Sequence, residues 1–332
     1  EVEKVIEDVI EGKETDGIIY WKNGKVKINK KKSFLSGEEL DKLPFPNWNL
    51  FPYKKYRYYP LLYREPAVSM LSSRGCPFAC YYCSYSKNEG RQLRLRSAEN
   101  VVDELENNLK LGIKASVFRD PLFTGDKTRT AEICKQIIAR DLDVVWSCET
   151  RPEVLDKNLL KIMHKAGCRA ILMGIESIHE KELKAVGRNK IDLENLRKIF
   201  KTCSKLGIRT NGFFILGLPE ATKKSMNETI GFSLNSGLNH AEYKIATPYP
   251  GTKLREIAIK KGWIKGDEQE LGGYSSVMNI DSDFNQDYLT NLCDKAFKRF
   301  YYRPAWIRQE IKMGQNVKKA GFMIKTIFRS LK

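Results

Sequence analysis

Strand-like and helical segments alternate along most of this chain. Six runs rich in apolar residues lie at positions 67–72, 115–119, 144–149, 170–175, 208–216 and 240–247. Apolar residues at helical spacing fill the segments between these runs, and glycine ends several of those segments. An alternating order of strand and helix predicts a parallel sheet with right-handed crossovers. Six such units favour an α/β fold, a partial (β/α)6 barrel, over a closed eightfold barrel.

Three of the eight cysteines lie in one short loop directly after the first predicted strand, at Cys76, Cys80 and Cys83. Gly75 and Pro77 interrupt the regular backbone there. Thiolates at this CxxxCxxC spacing can meet on one face of an iron–sulfur cluster, which proteins usually hold with four cysteines. Because only three lie together, one iron would lack a protein ligand. An open metal position is how a site binds and activates a substrate.

A structural zinc ion is the alternative for these three cysteines. Zinc takes a fourth ligand, typically from a second paired motif. The chain has three histidines, and its remaining cysteines stand singly: Cys134, Cys148, Cys168, Cys203 and Cys293. The spacing therefore favours a cluster. Eight cysteines without a small-domain framework also indicate a reducing compartment rather than disulfide bonds.

The loop resembles the CxxxCxΦC signature of radical S-adenosylmethionine enzymes, with Tyr82 as the aromatic Φ. The resemblance runs from about Leu43 to the C-terminus, and it is to the subgroup whose members often carry an upstream cobalamin-binding domain. It implies that Cys76, Cys80 and Cys83 hold a 4Fe–4S cluster whose fourth iron is chelated by the methionyl group of S-adenosylmethionine. In that family the cluster passes one electron to S-adenosylmethionine, and a 5′-deoxyadenosyl radical then abstracts hydrogen from an unactivated C–H bond.

The C-terminal ends of the strands share one edge of such a barrel, where chemistry gathers. After the second strand, the resemblance implies that the backbone at Asp120 binds the methionyl amino group, and an Asp-Pro turn is the alternative. After the third strand, Trp146 to Arg151 resembles a W-x-C-E-x-R pattern. Burying the Glu149 carboxylate is costly unless it is paired or binds something. We expect Glu149 to contact cofactor or substrate, with pairing to Arg151 as the alternative.

The fourth strand ends in a Gly-Ile-Glu-Ser run that resembles the family's G-I-E-S. Glu176 and Ser177 offer an acceptor and a donor to the ribose hydroxyls or the methionyl group, and a helix cap by Ser177 is the alternative. Arg188 matches a basic residue that meets the S-adenosylmethionine carboxylate in relatives, since its fork can bind bidentately. A solvated surface arginine is the alternative there.

The fifth and sixth strands end in two further runs that resemble the family. The first resembles F-I-L-G-L-P-G-E without the glycine before the glutamate, and Gly217 in it would let the backbone approach a ligand closely. The apolar side chains of this run are expected to pack in the core and to form a wall of the adenine-binding site. The second is T-P-Y-P-G-T, where Thr247 and Pro248 would lie at the adenine edge.

We expect four parts in this chain. Residues 1–42 would be the remnant of an upstream domain, which in the resembling subgroup binds cobalamin. Because the sequence starts at Glu1 within a helical pattern, we interpret it as a fragment. Residues 43–66, rich in proline and aromatic residues, would be a linker. Residues 67–265 would form the partial barrel, and residues 266–332 a C-terminal extension. Within the first part, residues 2–11 predict a helix, and Asn23-Gly24 predicts a type I′ hairpin turn.

The net charge of +17 lies partly in the C-terminal tail, where ten basic residues from Lys298 onward face Glu310 as the one acidic residue. Apolar residues of this tail can share one side of a helix, which predicts an interfacial helix on anionic lipid. Packing of that side against the barrel is the alternative. The sequence has neither a secretory signal nor the run of roughly 18 apolar residues that a membrane span needs. We therefore expect a cytoplasmic protein with peripheral membrane contact through the tail.

The resemblance implies methylation or oxidative cyclisation of a small molecule, such as a lipid or a tetrapyrrole. The subgroup includes methylases of unactivated carbon and the anaerobic cyclase of magnesium-porphyrin biosynthesis. An electron donor such as flavodoxin or ferredoxin is expected. The +17 charge also suggests a radical methylthiotransferase or another tRNA-modifying enzyme, but no second cluster motif or RNA-binding domain is visible, so nucleic acid is not the expected partner. An iron–sulfur electron-transfer protein is a further alternative, although such clusters take a fourth cysteine.

Overall fold

The computed structural model describes residues 1–332 apart from 31–32, 59–60, 265–277, 279–284, 307 and 309–332. The strands in chain order are β1 Ile19–Lys22, β2 Lys25–Ile28, β3 Ala67–Met70, β4 Ser73–Arg74, β5 Arg94–Leu95, β6 Ala115–Phe118, β7 Val145–Thr150, β8 Cys168–Glu176, β9 Arg209–Leu216 and β10 His240–Ile245.

The α-helices in chain order are α1 Ile6–Ile10, α2 Gly37–Asp41, α3 Tyr85–Asn88, α4 Ala98–Lys110, α5 Lys127–Ala139, α6 Lys157–Lys165, α7 Glu180–Ala185, α8 Leu193–Leu206, α9 Lys223–Asn235, α10 Lys253–Lys260 and α11 Gln286–Tyr301. Short 3₁₀ helices lie at Val2–Lys4, Trp48–Leu50, Tyr53–Lys55, Phe123–Gly125 and Pro152–Val154.

Six strands form one parallel sheet in the order β10-β9-β8-β7-β6-β3. These are the six predicted strands, and the α/β partial barrel is confirmed. Strands β3 and β10 lie at opposite edges, and no ladder joins them among the described residues. The parallel register brings the C-terminal ends of all six strands to one side of the sheet. A separate two-stranded ribbon, β4 with β5, begins just beyond β3.

The helices between the strands begin where the sequence supplies a capping side chain. Six of them start after a Ser, Asp or Thr whose side chain accepts a backbone N–H of the first turn: Ser97, Asp126, Asp156, Asp192, Thr222 and Thr252. Such a cap contributes about 1 kcal/mol to the stability of a helix. The caps therefore fix where these helices begin.

Two layers of apolar side chains stabilise the barrel. The outer layer lies between sheet and helices and includes Trp146, Phe118 and Phe123, whose rings are fully or almost fully buried and contact one another. The inner layer is built mostly from small and β-branched residues of the strands, together with Leu61 and Leu62. The predicted linker thus contributes two side chains to the interior of the barrel.

The N-terminal part carries the predicted hairpin, in which Asn23 and Gly24 have φ of 52° and 71° between β1 and β2. The predicted helix over residues 2–11 is broken into a 3₁₀ turn and α1, and its apolar side chains Val2, Ile6, Val9 and Ile10 are exposed. The predicted basic tail helix lies almost entirely outside the described residues. Where the structure describes the chain, no helix has both the length and the apolar character needed to cross a bilayer.

Helix α11 closes the edge strand β10 through a tyrosine. The Tyr301 hydroxyl accepts the Ala241 N–H at 3.2 Å and donates to the Ala241 carbonyl at 3.0 Å. Tyr301→Phe should therefore speed hydrogen exchange of the Ala241 amide roughly two- to tenfold, the effect of losing one ordinary hydrogen bond. Exchange measured on β10 peptides tests this, with Tyr302→Phe as control because that neighbouring ring is 44% exposed. Equal exchange in both variants would contradict the assignment.

Candidate functional site

The cysteine loop starts at a position that admits only glycine. Gly75 has φ of 84°, and a Cβ added there would lie 2.0 Å from the Gln92 carbonyl oxygen. A side chain would therefore be both strained and blocked by backbone. The next residue, Cys76, donates its N–H to the Gly90 carbonyl at 3.1 Å. These contacts hold the first cysteine against the turn that precedes β5.

The three cysteines are free thiols, and each is half-buried. Burial raises the pKa of Cys76 and of Cys83, and the Cys80 thiol nearby raises both further. Backbone N–H groups oppose this by donating to the sulfurs, from Phe78 to Cys76 and from Tyr85 to Cys83. The structure thus brings the predicted ligands within electrostatic reach of one another, with amides directed at their sulfur atoms.

The three cysteines supply the donor type that an iron–sulfur cluster takes, and the cluster stays a prediction here. Within the part of the chain that the structure describes, no three His, Cys, Asp or Glu side chains converge on the position of one metal ion. In a cluster, by contrast, each thiolate binds a different iron, and hydrogen bonds to the sulfurs tune the reduction potential. Three free thiols in a loop lined by backbone N–H groups meet those requirements.

The middle of the loop is bound to two neighbouring elements. Tyr81 donates its N–H to the Val186 carbonyl at 2.9 Å, and its own carbonyl accepts the Leu254 N–H at 2.8 Å near the start of α10. A Cβ at Gly187 would lie 2.7 Å from the Tyr81 ring, so glycine is required for this packing. The guanidinium of Arg151 lies 3.8 Å from the centre of the Phe78 ring. The loop is therefore fixed on the C-terminal side of the barrel.

Three of the predicted site residues meet at the end of β8. Glu176 is buried, has φ of 65° and lies at a register shift between β8 and β9. Its Oε1 accepts the Tyr82 hydroxyl at 3.0 Å and an Arg188 N–H at 2.8 Å. Arg188 also donates to the Gly174 carbonyl at 3.1 Å and to Glu153 at 3.2 Å. Burial raises the pKa of Glu176, although the charge of Arg188 opposes that rise.

A cavity of about 420 Å³ opens beside this group of residues. Tyr82 and Glu176 line it on one side, and residues from the ends of β9 and β10 line the other, among them Phe213, Lys244 and Thr247. The Thr247 hydroxyl donates to the Ile245 carbonyl at 2.9 Å, and the Pro248 carbonyl accepts from Arg255 at 3.3 Å. The cavity is of the size that binds small molecules, and both polar and aromatic residues line it.

Two of the predicted polar site residues, Asp120 and Ser177, form hydrogen bonds within the protein. Asp120 is fully buried and accepts the Ser72 N–H at 3.1 Å together with the hydroxyls of Ser72 and Ser73. Ser177 is buried and accepts the His179 N–H at 3.0 Å in the turn before α7, but the N-cap residue of that helix is His179 and no side chain caps it. The Asp120 carboxylate therefore holds the strand end that leads into the cysteine loop. Binding of a cofactor by the backbone at Asp120 stays a prediction.

Two of the predicted site residues have neighbours that the sequence did not indicate. At Gly217, with φ of 75°, a Cβ would lie 2.8 Å from a methyl carbon of Leu289, so α11 packs closely against this glycine, and a ligand contact there stays a prediction. The carboxylate of Glu149 pairs with Arg119 at 3.0 Å, whereas the expected alternative partner, Arg151, pairs with Glu153. Sequence reasoning singled out neither Arg119 nor Glu153, since only the fold shows which charges meet.

Comparison with known proteins gives a consistent result. The profile of the radical SAM superfamily matches residues 70–233. A protein of Pyrococcus horikoshii described as an uncharacterized methyltransferase is 31% identical over 333 residues, which cover 99% of this chain and 70% of that protein. The anaerobic magnesium-protoporphyrin IX monomethyl ester cyclase of Rubrivivax gelatinosus is 31% identical over 275 residues, 82% of this chain and 48% of the cyclase.

Among solved structures, the radical S-adenosylmethionine methyltransferase TsrM of Kitasatospora setae, with cobalamin and a [4Fe-4S] cluster bound, superposes with a TM-score of 0.62 at 18% identity. The superposition covers 80% of this chain and 53% of TsrM. At that identity the similarity shows the fold alone. This chain thus spans between about half and 70% of the length of these proteins.

The Asp120 contacts lead to a stability prediction. Asp120→Ala leaves the Ser72 amide and two buried hydroxyls without their acceptor. We expect the free energy of unfolding to fall by about 3 kcal/mol, since hydrogen bonds to a charged group contribute roughly 1.5–3 kcal/mol each and partial relaxation recovers some of the loss. Urea denaturation measures this.

Asp143→Ala is the control for this measurement, because Asp143 lies on the surface in ion pairs with Arg64 and Lys114. It should cost much less than Asp120→Ala, because an ion pair between exposed charges contributes little to stability. Equal losses in the two variants would show that Asp120 is not the acceptor on which the strand end depends.

Proposed function

The chain belongs to the radical SAM superfamily, and on that basis we propose that Cys76, Cys80 and Cys83 hold a 4Fe–4S cluster to which S-adenosylmethionine binds. The chain is part of a radical SAM enzyme, with methyltransferases and a cyclase among its relatives. The observation that carries the proposal is a loop of three free thiols whose Tyr82 lines a cavity at the ends of parallel strands. When bound, the cluster would supply the electron that cleaves a carbon–sulfur bond of S-adenosylmethionine.

We propose that Arg188 and Glu176 bind the methionyl end of S-adenosylmethionine. The Nε of Arg188 is buried and has no hydrogen-bond partner among the described residues. Arg188 pairs with Glu176, which lines the cavity. An unsatisfied buried donor is costly unless a ligand supplies the acceptor, and a carboxylate matches the arginine fork. Glu176 would accept from the amino group or from ribose hydroxyls, as its Oε1 already accepts from Tyr82 and Arg188.

The adenine is proposed to lie against aromatic residues of the cavity. Tyr82 and Phe213 would contact its faces, and Thr247 and Pro248 would lie along its edge, with Gly217 behind them. This chain's residues would thus orient the cofactor and exclude water from it, since an enclosed site strengthens each polar contact and prevents side reactions. The C-terminal ends of β6 and β7, where Arg119 pairs with Glu149 near Tyr58, would face the substrate.

We propose methyl transfer to a small molecule as the reaction and oxidative cyclisation as the second candidate. Methyl transfer is favoured because the Pyrococcus relative that covers 99% of this chain is described as a methyltransferase. Cyclisation is kept because the Rubrivivax cyclase is equally identical over 82% of the chain. Tetrapyrroles and lipids are the proposed substrate classes, and flavodoxin or ferredoxin the proposed electron donor. Cobalamin, which TsrM binds, would act in the whole protein through residues upstream.

Replacement of a loop cysteine tests the cluster. Cys80→Ala should abolish cluster assembly, because two thiolates cannot hold the cluster in an open loop. Anaerobic reconstitution followed by iron counting measures this, with about four iron atoms per chain expected for the unmodified protein. Cys134→Ala is the matched control, since Cys134 is fully buried between sheet and helices. Full iron content in Cys80→Ala would overturn the proposal.

Replacement of the charged pair tests the cofactor position. Arg188→Ala and Glu176→Ala should each keep the cluster but weaken S-adenosylmethionine binding roughly 10- to 100-fold, because each removes a charge-assisted hydrogen bond. Titration calorimetry of the reconstituted protein measures the affinity. Lys190→Ala is the control, since the Lys190 side chain is 71% exposed and pairs with Glu180 on the surface. Unchanged affinity in both variants would show that the cofactor lies elsewhere.

A further inference from the structure

The back of the cysteine loop carries two adjacent arginines. Arg74 in β4 and Arg94 in β5 are direct partners in the antiparallel ribbon. Arg74 precedes Gly75 and Cys76, so the ribbon is the stem from which the loop emerges. The side chains are 16% and 4% exposed respectively. Like charges on directly opposed positions repel, and burial of both strengthens that repulsion.

Two glutamates from the start of the chain neutralise this pair. Glu3 contacts Arg74 at 2.6 Å, and Glu1 contacts Arg94 and lies 3.6 Å from Arg74. The Glu1 side chain is 1% exposed, and its Oε2 accepts the Leu35 N–H at 2.8 Å. Removing one member of a buried ion pair leaves an uncompensated charge, which is strongly destabilising. The stem of the loop therefore depends on residues more than 70 positions away in sequence.

The same contacts reach the turn that binds Cys76. Arg94 donates to the carbonyls of Glu89 and Leu35 at 2.6 Å and 2.9 Å, and its guanidinium lies 4.6 Å from the centre of the Phe34 ring. Phe34 also packs against Gly90, where a Cβ would lie 2.8 Å from the ring. Because the Gly90 carbonyl accepts the Cys76 N–H, the N-terminal segment and the first cysteine meet at one turn.

We infer that Glu1 and Glu3 position the cysteine loop by neutralising Arg74 and Arg94, and thereby set the reduction potential of the cluster that the loop holds. We call this set of four residues the stem clamp. The claim about the reduction potential rests on the proposed function, whereas the claim about the position of the loop concerns the protein without metal. Glu1 and Glu3 are positioning residues, since they act on the cysteines through the two arginines.

The direction of the effect on potential follows from charge. Reduction makes a cluster more negative, so unpaired cations beside it stabilise the reduced form. Replacing both glutamates by glutamine leaves Arg74 without its ion pairs and leaves Arg94 with the weaker pair to Glu89, whose carboxylate lies 3.8 Å away. The potential should therefore shift to more positive values. The freed stem should also expose the loop thiols more often, because local opening exposes groups that the closed form protects.

The test compares two double variants that remove the same charge. One combines Glu1→Gln with Glu3→Gln, and the control combines Glu7→Gln with Glu11→Gln, exposed residues of the same segment. The rate of iodoacetamide alkylation at Cys76, Cys80 and Cys83 is measured by peptide mass spectrometry on the metal-free full chain. We expect about a tenfold increase in the first variant and no change in the control. EPR-monitored redox titration of the reconstituted proteins should show a positive shift in the first variant alone.

Several outcomes decide the inference separately from the proposed function. Unchanged alkylation and potential in the first variant would overturn the stem clamp, and normal cluster assembly by the unmodified protein would leave the proposed function intact. If the unmodified protein assembles no cluster, the proposed function fails, and alkylation still tests the clamp. Should the double variant not fold, Glu3→Gln alone serves, since Glu3 is 36% exposed. The variant that combines Arg74→Glu with Glu3→Arg exchanges the two charges and keeps the ion pair. Its loop cysteines should be alkylated as slowly as those of the unmodified protein, and faster alkylation would contradict an electrostatic cause.

Discussion

The buried carboxylate of Glu176 is the contact on which the arrangement of the site depends. It joins the cysteine loop, through Tyr82, to the far side of the barrel end, through Arg188. A buried carboxylate is stable only with partners of this kind, so Tyr82 and Arg188 are each held in one position by the same acceptor. Its backbone is in the left-handed region, an unfavourable conformation for a residue with a side chain. Such strain is concentrated at functional sites, and here it directs the carboxylate toward the cavity.

Much of the fold could be predicted because its signals are local. Apolar periodicity and side-chain caps define the six strands and the helices between them, and the observed bounds mostly differ from the predicted ones by one or two residues. The cysteine loop was visible for the same reason, since its three thiols are close in sequence. The contacts of Arg119 with Glu149, of Glu153 with Arg188 and of Leu289 with Gly217 were not visible. They join residues that only the folded barrel brings together, so neither periodicity nor spacing indicates them.

The net charge of the whole sequence does not describe the charge balance around the cysteine loop. The net charge of +17 suggested nucleic acid or lipid, yet four arginines around the cysteine loop are paired with carboxylates or stacked on aromatic rings: Arg74, Arg94, Arg151 and Arg188. The partners of Arg74 and Arg94 include the first residues of the chain. The barrel therefore does not form the site alone, and the N-terminal segment belongs to its structure. This agrees with the match to the Pyrococcus relative, which covers the N-terminal segment as well as the barrel.

The central claim is that a cluster on Cys76, Cys80 and Cys83 keeps one iron open for S-adenosylmethionine. The most direct measurement is the EPR spectrum of the dithionite-reduced, reconstituted protein, recorded with and without S-adenosylmethionine. The account predicts that S-adenosylmethionine changes the signal of the unmodified protein by direct binding to the cluster, and that Arg188→Ala requires a higher concentration for the same change. A well-formed cluster whose spectrum is identical at saturating S-adenosylmethionine would contradict the claim.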